Sequence, residues 1–241
     1  MPPRPCGRRQ APMSFAPLGR LHCGGLNSAG DPIERTRKMR KLIVSTFLTL
    51  DGVMQAPGGP GEDDSGGFAH GGWSVNYWDE PMGQVMDEAM STPFDLVLGR
   101  KTYDIFAAHW PHATDHAVAK PLNNATKYVA SRGHPTLGWS NSVLIEGDAA
   151  EGIAALKTED GPELQVHGSG NLIQTLLRYN LVDQYRLWVF PLVIGSGKRL
   201  FSEGTIPSGL KLVDSKVSTT GVVIGTYEPA GEIVTGSFAL D

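Results

Sequence analysis

Both cysteines of the chain, Cys6 and Cys23, lie within its first 38 residues. From Met39 to Asp241 there is none, which excludes a disulfide, a thiolate-ligated zinc, an iron–sulfur cluster and a cysteine nucleophile from that stretch. No apolar run approaches the ~18 residues needed to cross a bilayer, so no membrane partner is expected. Excess positive charge is missing too. The formal net charge is −4, yet the first 38 residues hold seven Lys and Arg against two acids. That leaves the remainder 14 of the 21 cations and 23 of the 25 acids, a net charge of −9. So acidic a body is a poor match for a polyanion, and no nucleic-acid partner is expected. Apolar residues are not scarce. They make up 40% of 241 residues, with 19% charged, which sustains a packed core and excludes global disorder.

Residues 1–38 show no periodicity and are rich in proline and glycine. Arg8-Arg9 has no apolar stretch behind it, so a twin-arginine export signal is not supported. The segment reads as a disordered basic extension or the product of an upstream start codon, with a transit peptide as the alternative, ahead of a domain spanning 39–241. A cytoplasmic location is expected.

Strands and helices alternate along that domain. Leu42–Leu50 (LIVSTFLTL) is a buried strand ended by Asp51-Gly52. Residues 56–72 form a glycine-rich loop of a length usual for functional or disordered segments. Asp79–Met90 carries Met82, Val85, Met86 and Met90 at helical spacing, with Asp79 able to cap it and Pro81 tolerated in the first turn. Phe94–Leu98 is a strand, and Gly99-Arg100-Lys101-Thr102 opens a short helix through Phe106. Further strands are expected at 127–131, 142–146, 163–167 and 184–190, and helices at 149–157 and after Gly168-Ser169-Gly170. The remainder to Asp241 looks β-rich. This alternation predicts an α/β protein with a parallel-rich sheet covered on both faces.

Two strand–glycine–helix turns carry the chemistry. Gly99-Arg100-Lys101-Thr102 offers free N–H groups, a hydroxyl and two cations to an anion. His167-Gly168-Ser169-Gly170-Asn171 repeats the arrangement, its glycines allowing close backbone approach. One such turn often serves only the chain reversal. Two in one sheet suit a ligand with separated phosphates, such as a dinucleotide. Standard fingerprints fail: Ile173 stands where GxGxxG requires glycine, and Gly195-Ser196-Gly197-Lys198 has Leu192 and Arg199 where a P-loop requires glycine and Ser or Thr.

The run VLGRKTYDIF (Val97–Phe106) resembles the strand-to-helix turn of dihydrofolate reductases. VHGSGNLIQTLL (Val166–Leu177), LVDQYRLWVFPLVIGSGKRLF (Leu181–Phe201) and STFLTLDGVMQAP (Ser45–Pro57) resemble a relative, the reductase domain of the bifunctional riboflavin-biosynthesis deaminase–reductase. No deaminase zinc motif is present. The resemblance implies a dihydrofolate reductase-like three-layer fold with a mixed, mostly parallel central sheet and flanking helices. It implies NADPH bound across the glycine turns and a homodimer. Gly99, Arg100, Lys101 and Thr102 would hold cofactor phosphate, with Arg100 near the adenosine 2′-phosphate and Ser131 and Arg132 flanking it. Gly168, Ser169, Gly170, Asn171 and Leu172 would cradle the pyrophosphate. Val53 and Met54 would lie in the loop that covers the nicotinamide. Arg100, Lys101 and Arg132 favour a phosphorylated cofactor, although each is also an ordinary surface charge.

Dihydrofolate reductases place a carboxylate on the helix before the first glycine turn, and the matching position here is Gly83. Asp79 and Asp51 are the candidate catalytic acids, with N-capping and turn-capping as their structural alternatives. The expected activity is hydride transfer to a C=N or C=O bond of a small pyrimidine- or pterin-like molecule. The resemblance favours 5-amino-6-(5-phosphoribosylamino)uracil; folate-type reduction and a nucleotide-binding module without catalysis are the alternatives. His109, His112 and His116, with Asp115, hold enough donors for a metal, but Pro111 interrupts them and a polar loop is the expectation. His70 and Trp73 could close over a substrate or simply pack.

Overall fold

The computed structural model describes residues 39–114 and 116–238. The expected extension at 1–38, with Cys6, Cys23 and Arg8-Arg9, lies outside the described residues, as does Asp115. Eight strands form one sheet: β1 (Leu42–Thr49), β2 (Phe94–Gly99), β3 (Lys127–Ala130), β4 (Ser142–Ile145), β5 (Glu163–Val166), β6 (Gln184–Phe190), β7 (Leu210–Val217) and β8 (Val223–Pro229). Five helices accompany them: α1 (Glu80–Ser91), α2 (Arg100–His109), α3 (Ala119–Asn124), α4 (Ala149–Thr158) and α5 (Gly170–Arg178). The sheet order is β4-β3-β2-β5-β1-β6-β8-β7. Every neighbouring pair from β4 to β6 is parallel, and β8 runs antiparallel to both β6 and β7.

Alternation along the strands builds three layers. Leu42, Val44 and Leu48 of β1 and Leu164 and Val166 of β5 meet Ile153 and Leu156 of α4 and Ile173 and Leu176 of α5. On the other face Phe94, Leu96 and Leu98 of β2 pack against Tyr103 of α2 and Leu122 of α3. There Met82, Val85 and Met86 of α1 cover Trp188 and Phe190 of β6 and Ile224 of β8. Each such side chain, once fully buried, contributes about 1.5–3 kcal/mol, so the layered burial dominates the stability. No helix among the described residues is long and apolar enough to cross a membrane.

Three expectations change in detail. The helix after Gly99 continues past Phe106 to His109. α3 was not expected, because six residues containing Pro121 show no helical period. The C-terminal remainder supplies only β7 and β8; residues 191–209 and 230–238 are irregular.

The topology creates one crevice. β2 and β5 are neighbours, and their helices leave in opposite senses. α2 crosses one face towards β3, whereas α5 crosses the other towards β6. Ligands of open α/β sheets bind where connections diverge in this way at the carboxyl ends of strands.

Candidate functional site

The four longer helices start in two different ways. α1 is capped by Asp79, whose Oδ1 accepts from the Met82 N–H at 3.0 Å, and α4 by Asp148. α2 begins behind Gly99 and α5 behind Ser169, and neither has a side-chain cap. Their first-turn N–H groups, from Arg100, Lys101 and Thr102 and from Gly170, Asn171 and Leu172, thus line the crevice with the positive ends of two helix dipoles.

The two turns are joined. The Gly99 N–H donates to Ser169 Oγ at 2.8 Å. A Cβ on Gly99 would stand 2.9 Å from Ser169 Cβ, so glycine is needed there for turn-on-turn packing. Its φ is −73°, open to any residue, so the packing and not the backbone conformation calls for glycine. Gly168 differs. Its φ is +104°, and a Cβ there would meet nothing nearer than Met54 Cε at 4.0 Å. Ser169 is left-handed too, at φ +80°. Leu172 is buried in the α5 core cluster, while Asn171 is exposed.

The first loop is pinned rather than free. Val53 is fully buried and bridges Arg199, and the Met54 N–H donates to the Lys198 carbonyl at 2.8 Å. Gln55 staples the glycine-rich loop: its amide donates to the carbonyls of Asp63 and Ser65, and its Oε1 accepts from the Lys198 N–H. Trp73 donates to the Gln55 carbonyl and packs edge-on against Phe190, while His70 meets Phe68. Asp63 receives the ammonium groups of Lys101 and Lys198. Burial opposes its ionisation, but hydrogen bonds from Lys101, Lys198 and Ser65 outweigh that and hold the carboxyl well below its usual range.

Arg100 and Ser131 directly follow Gly99 and Ala130, which are partners in the β2–β3 ladder, so the two expected phosphate-binding segments start from neighbouring strand ends. Arg100 is exposed and donates to both oxygens of Asp104 at 2.7 Å. Arg132 is exposed and has no ion pair among the described residues. Ser131 Oγ accepts from the Gly133 N–H at 3.3 Å.

The two candidate acids each accept several hydrogen bonds within the protein. Asp51 accepts from Thr49 Oγ1 at 2.5 Å and from the Gly195 N–H at 2.7 Å, with Ile194 and Arg199 as further donors. The Thr49 bond leads in holding its carboxyl far below the usual range, so it stays ionised. Asp79, besides capping α1, takes three hydrogen bonds on Oδ2 from Thr219 and Thr220. Burial raises its pKa but those bonds lower it further. Both carboxyls are thus held below their usual range.

Two features escaped the sequence reading. Trp78 lies parallel to Trp188 at 5.9 Å, with Phe47 beside both, so that the exposed Trp78 ring forms an aromatic shelf backed by the buried Trp188. A cavity of about 240 Å³ opens between α1 and the sheet, lined by Ser45, Met86, Met90, Glu163, Arg186 and Trp188. The second feature is His167, the residue before Gly168, whose Nε2 meets Gln165 Oε1 at 2.7 Å. His109 and His116, by contrast, pack edge-on against Trp110. No group of metal-ligating side chains occurs among the described residues.

Comparison with known proteins gives a family and a fold. The RibD C-terminal domain family matches residues 40–224. The uncharacterised protein YyaP of Bacillus subtilis (strain 168) is 29% identical over 194 residues, 79% of this chain and 95% of that protein. Among solved structures, a protein from Shewanella sp. PV-4 provisionally assigned to riboflavin biosynthesis superposes with a TM-score of 0.58 at 22% identity, over 79% of this chain and 99% of that one. Dihydrofolate reductase from Enterococcus faecalis, solved with NADP(H), reaches 0.50 at 14% identity, over 78% and 96%. The fold is therefore dihydrofolate reductase-like.

Proposed function

The chain belongs to the RibD C-terminal domain family, and on that premise we propose that it is an NADPH-dependent reductase of a small planar heterocycle carrying a C=N or C=O bond. The observation that carries this is the pair of uncapped helix starts, α2 and α5, facing each other across the β2–β5 crevice. A dinucleotide has two anionic regions to set against them. The open face of Gly168 leaves room for its backbone to meet the pyrophosphate, with Ser169, Gly170, Asn171 and Leu172 completing the cradle. Arg100, with Ser131 and Arg132, would hold the 2′-phosphate, and Lys101 and Thr102 the phosphate nearer α2. Val53 and Met54 would wall the nicotinamide, Met54 standing beside Gly168.

Bound there, the cofactor supplies the hydride for the carbon of the acceptor bond. This chain's part is to orient the acceptor, and the shelf of Trp78, Trp188 and Phe47 suits a flat ring. With the carboxyls of Asp51 and Asp79 held below their usual range, the proton for the heteroatom would come from water at the open crevice. The favoured acceptor is 5-amino-6-(5-phosphoribosylamino)uracil.

The engagement of both carboxylates also favours one rival, a nucleotide-binding module without turnover. NADPH binding by fluorescence and NADPH oxidation with this uracil and with dihydrofolate separate the two. We expect binding, turnover of the uracil, and loss of both in Gly168→Val, whose side chain has no comfortable conformation at φ +104°. Binding without oxidation of either substrate supports the module, and normal binding by Gly168→Val removes the dinucleotide cradle.

A further inference from the structure

A line of polar side chains crosses the α1 face of the sheet and ends at the crevice. Arg186 Nη1 and Nη2 donate to the two oxygens of Glu163 at 3.1 and 3.3 Å. Gln165 Nε2 donates to Glu163 Oε1 at 2.6 Å, and Gln165 Oε1 meets His167 Nε2 at 2.7 Å. Glu163, Gln165 and His167 alternate along β5 and its continuation, so they share one face.

Chemistry sets the direction of every bond in this line. The Glu163 carboxylate, paired with Arg186, can only accept. It must face the amide nitrogen of Gln165, and the amide oxygen is then left for His167. An oxygen acceptor requires the proton on His167 Nε2. Burial, with the charge of Arg186 adding to it, pushes the imidazole down to about 4, so the ring is neutral near pH 7. In a neutral ring with Nε2 protonated, Nδ1 carries a lone pair. Nδ1 has no partner among the described residues, and no unpartnered side-chain nitrogen or oxygen is sealed from solvent. Gln165 is 1% exposed, so the relay behind the ring is locked while the ring keeps an open edge.

We propose that His167 is a substrate-recognition residue that accepts, through Nδ1, a hydrogen bond from an N–H or O–H group of the hydride acceptor, and that Gln165 is the positioning residue that fixes its tautomer. This rests on the reductase reading for the identity of the acceptor. It adds a polar reader at the crevice end of this face, where the Phe94 ring lies 6.4 Å from the imidazole. The site thereby selects rings or side chains that present a donor and disfavours those that present only acceptors. Lone pair against lone pair leaves both unsatisfied.

Nitrogen-15 spectra of histidine-labelled full-length protein test the relay without any ligand. At neutral pH His167 should show the Nε2–H tautomer, and Gln165→Leu should turn it into a mixture. An Nδ1–H tautomer in the unaltered protein overturns the proposal. Steady-state kinetics with 5-amino-6-(5-phosphoribosylamino)uracil test the recognition. His167→Phe should raise KM about tenfold, the worth of one neutral hydrogen bond at the upper end, with NADPH affinity unchanged. His167→Asn, which keeps an acceptor close to the ring position, should recover much of that loss. An unchanged KM in His167→Phe overturns the recognition role. As a competitive inhibitor of that reaction, a 5-amino-6-alkylaminouracil lacking sugar hydroxyls, and so lacking the reducible bond, separates the two donors: inhibition weakened in His167→Phe assigns the ring N–H, and unchanged inhibition assigns a hydroxyl. If the unaltered protein does not oxidise NADPH with 5-amino-6-(5-phosphoribosylamino)uracil, the reductase reading and the recognition role fail together, while the tautomer spectrum still decides the relay.

Discussion

Arg100 illustrates how weakly a functional cation can be held before its ligand arrives. Its partner Asp104 sits one turn along the same exposed helix face. Such surface pairs are worth only about 0.3–0.5 kcal/mol, so the guanidinium is readily available to a stronger anion. A phosphate contact is charge-assisted and worth about 1.5–3 kcal/mol, roughly tenfold to a hundredfold in affinity. Arg100→Ala should weaken NADPH binding by that factor and leave NADH nearly untouched, since only NADPH presents the 2′-phosphate. Parallel fluorescence titrations with the two cofactors check this, and equal losses would assign Arg100 to something other than that phosphate. Lys101 is held more firmly, because Asp63 also binds Lys198 and so ties the helix start to two loops.

At the level of elements, the two glycine turns behave as one part. The Gly99 N–H and the Ser169 hydroxyl form their joint, and the gap beneath Gly99 is filled by Ser169 itself. Gly99→Ala should therefore cost about 1–3 kcal/mol through overpacking, although its backbone angles suit alanine. Ser169→Gly removes both crowding atoms and a left-handed non-glycine residue. In urea unfolding the double variant should be more stable than the sum of the single changes by about 0.5–3 kcal/mol. Strict additivity would mean the turns are independent and the crevice lacks its shared wall. The location of both turns was legible in the sequence, because each follows a β-rich run and precedes a helical one. So was the Asp79 cap ahead of Pro81. The reason for Gly99 was not, since its neighbour Ser169 is seventy positions away in the chain. The same distance effect hid the engagement of Asp51 by Gly195, and His167 read as a turn residue because its partners lie along a strand face that only the sheet assembles. α3 was missed for a local reason, six residues being too few to show a period.

Across the whole molecule, the two edges of the sheet divide the work. The carboxyl-end edge carries positive-φ turns, uncapped helices and loops tied by exposed lysines. The amino-end edge is sealed. Arg40, 4% exposed, pairs with Asp95 and donates to the Pro162 carbonyl at 2.6 Å, while its backbone N–H donates to the Lys157 carbonyl at 2.9 Å. It thereby joins the chain just before β1 to β2, α4 and the approach to β5. Asp183 adds a second clamp, accepting from the Leu42 N–H and the Lys157 ammonium, both at 2.7 Å. Removing one partner of a buried pair leaves a charge without compensation, about 3–5 kcal/mol. For a domain of this size each kcal/mol moves Tm by about 2–4 °C. Arg40→Leu should lower Tm by roughly 6–20 °C, with Asp95 left only the Thr126 N–H. Changing both partners to apolar residues should recover most of that loss, because the stranded charge goes with them. NADPH affinity of the folded variant should not change, as no residue of the crevice touches the pair. A calorimetric scan beside a cofactor titration measures both. A variant that keeps its Tm but loses the cofactor would place binding at the amino-end edge and reverse the assignment of the two edges.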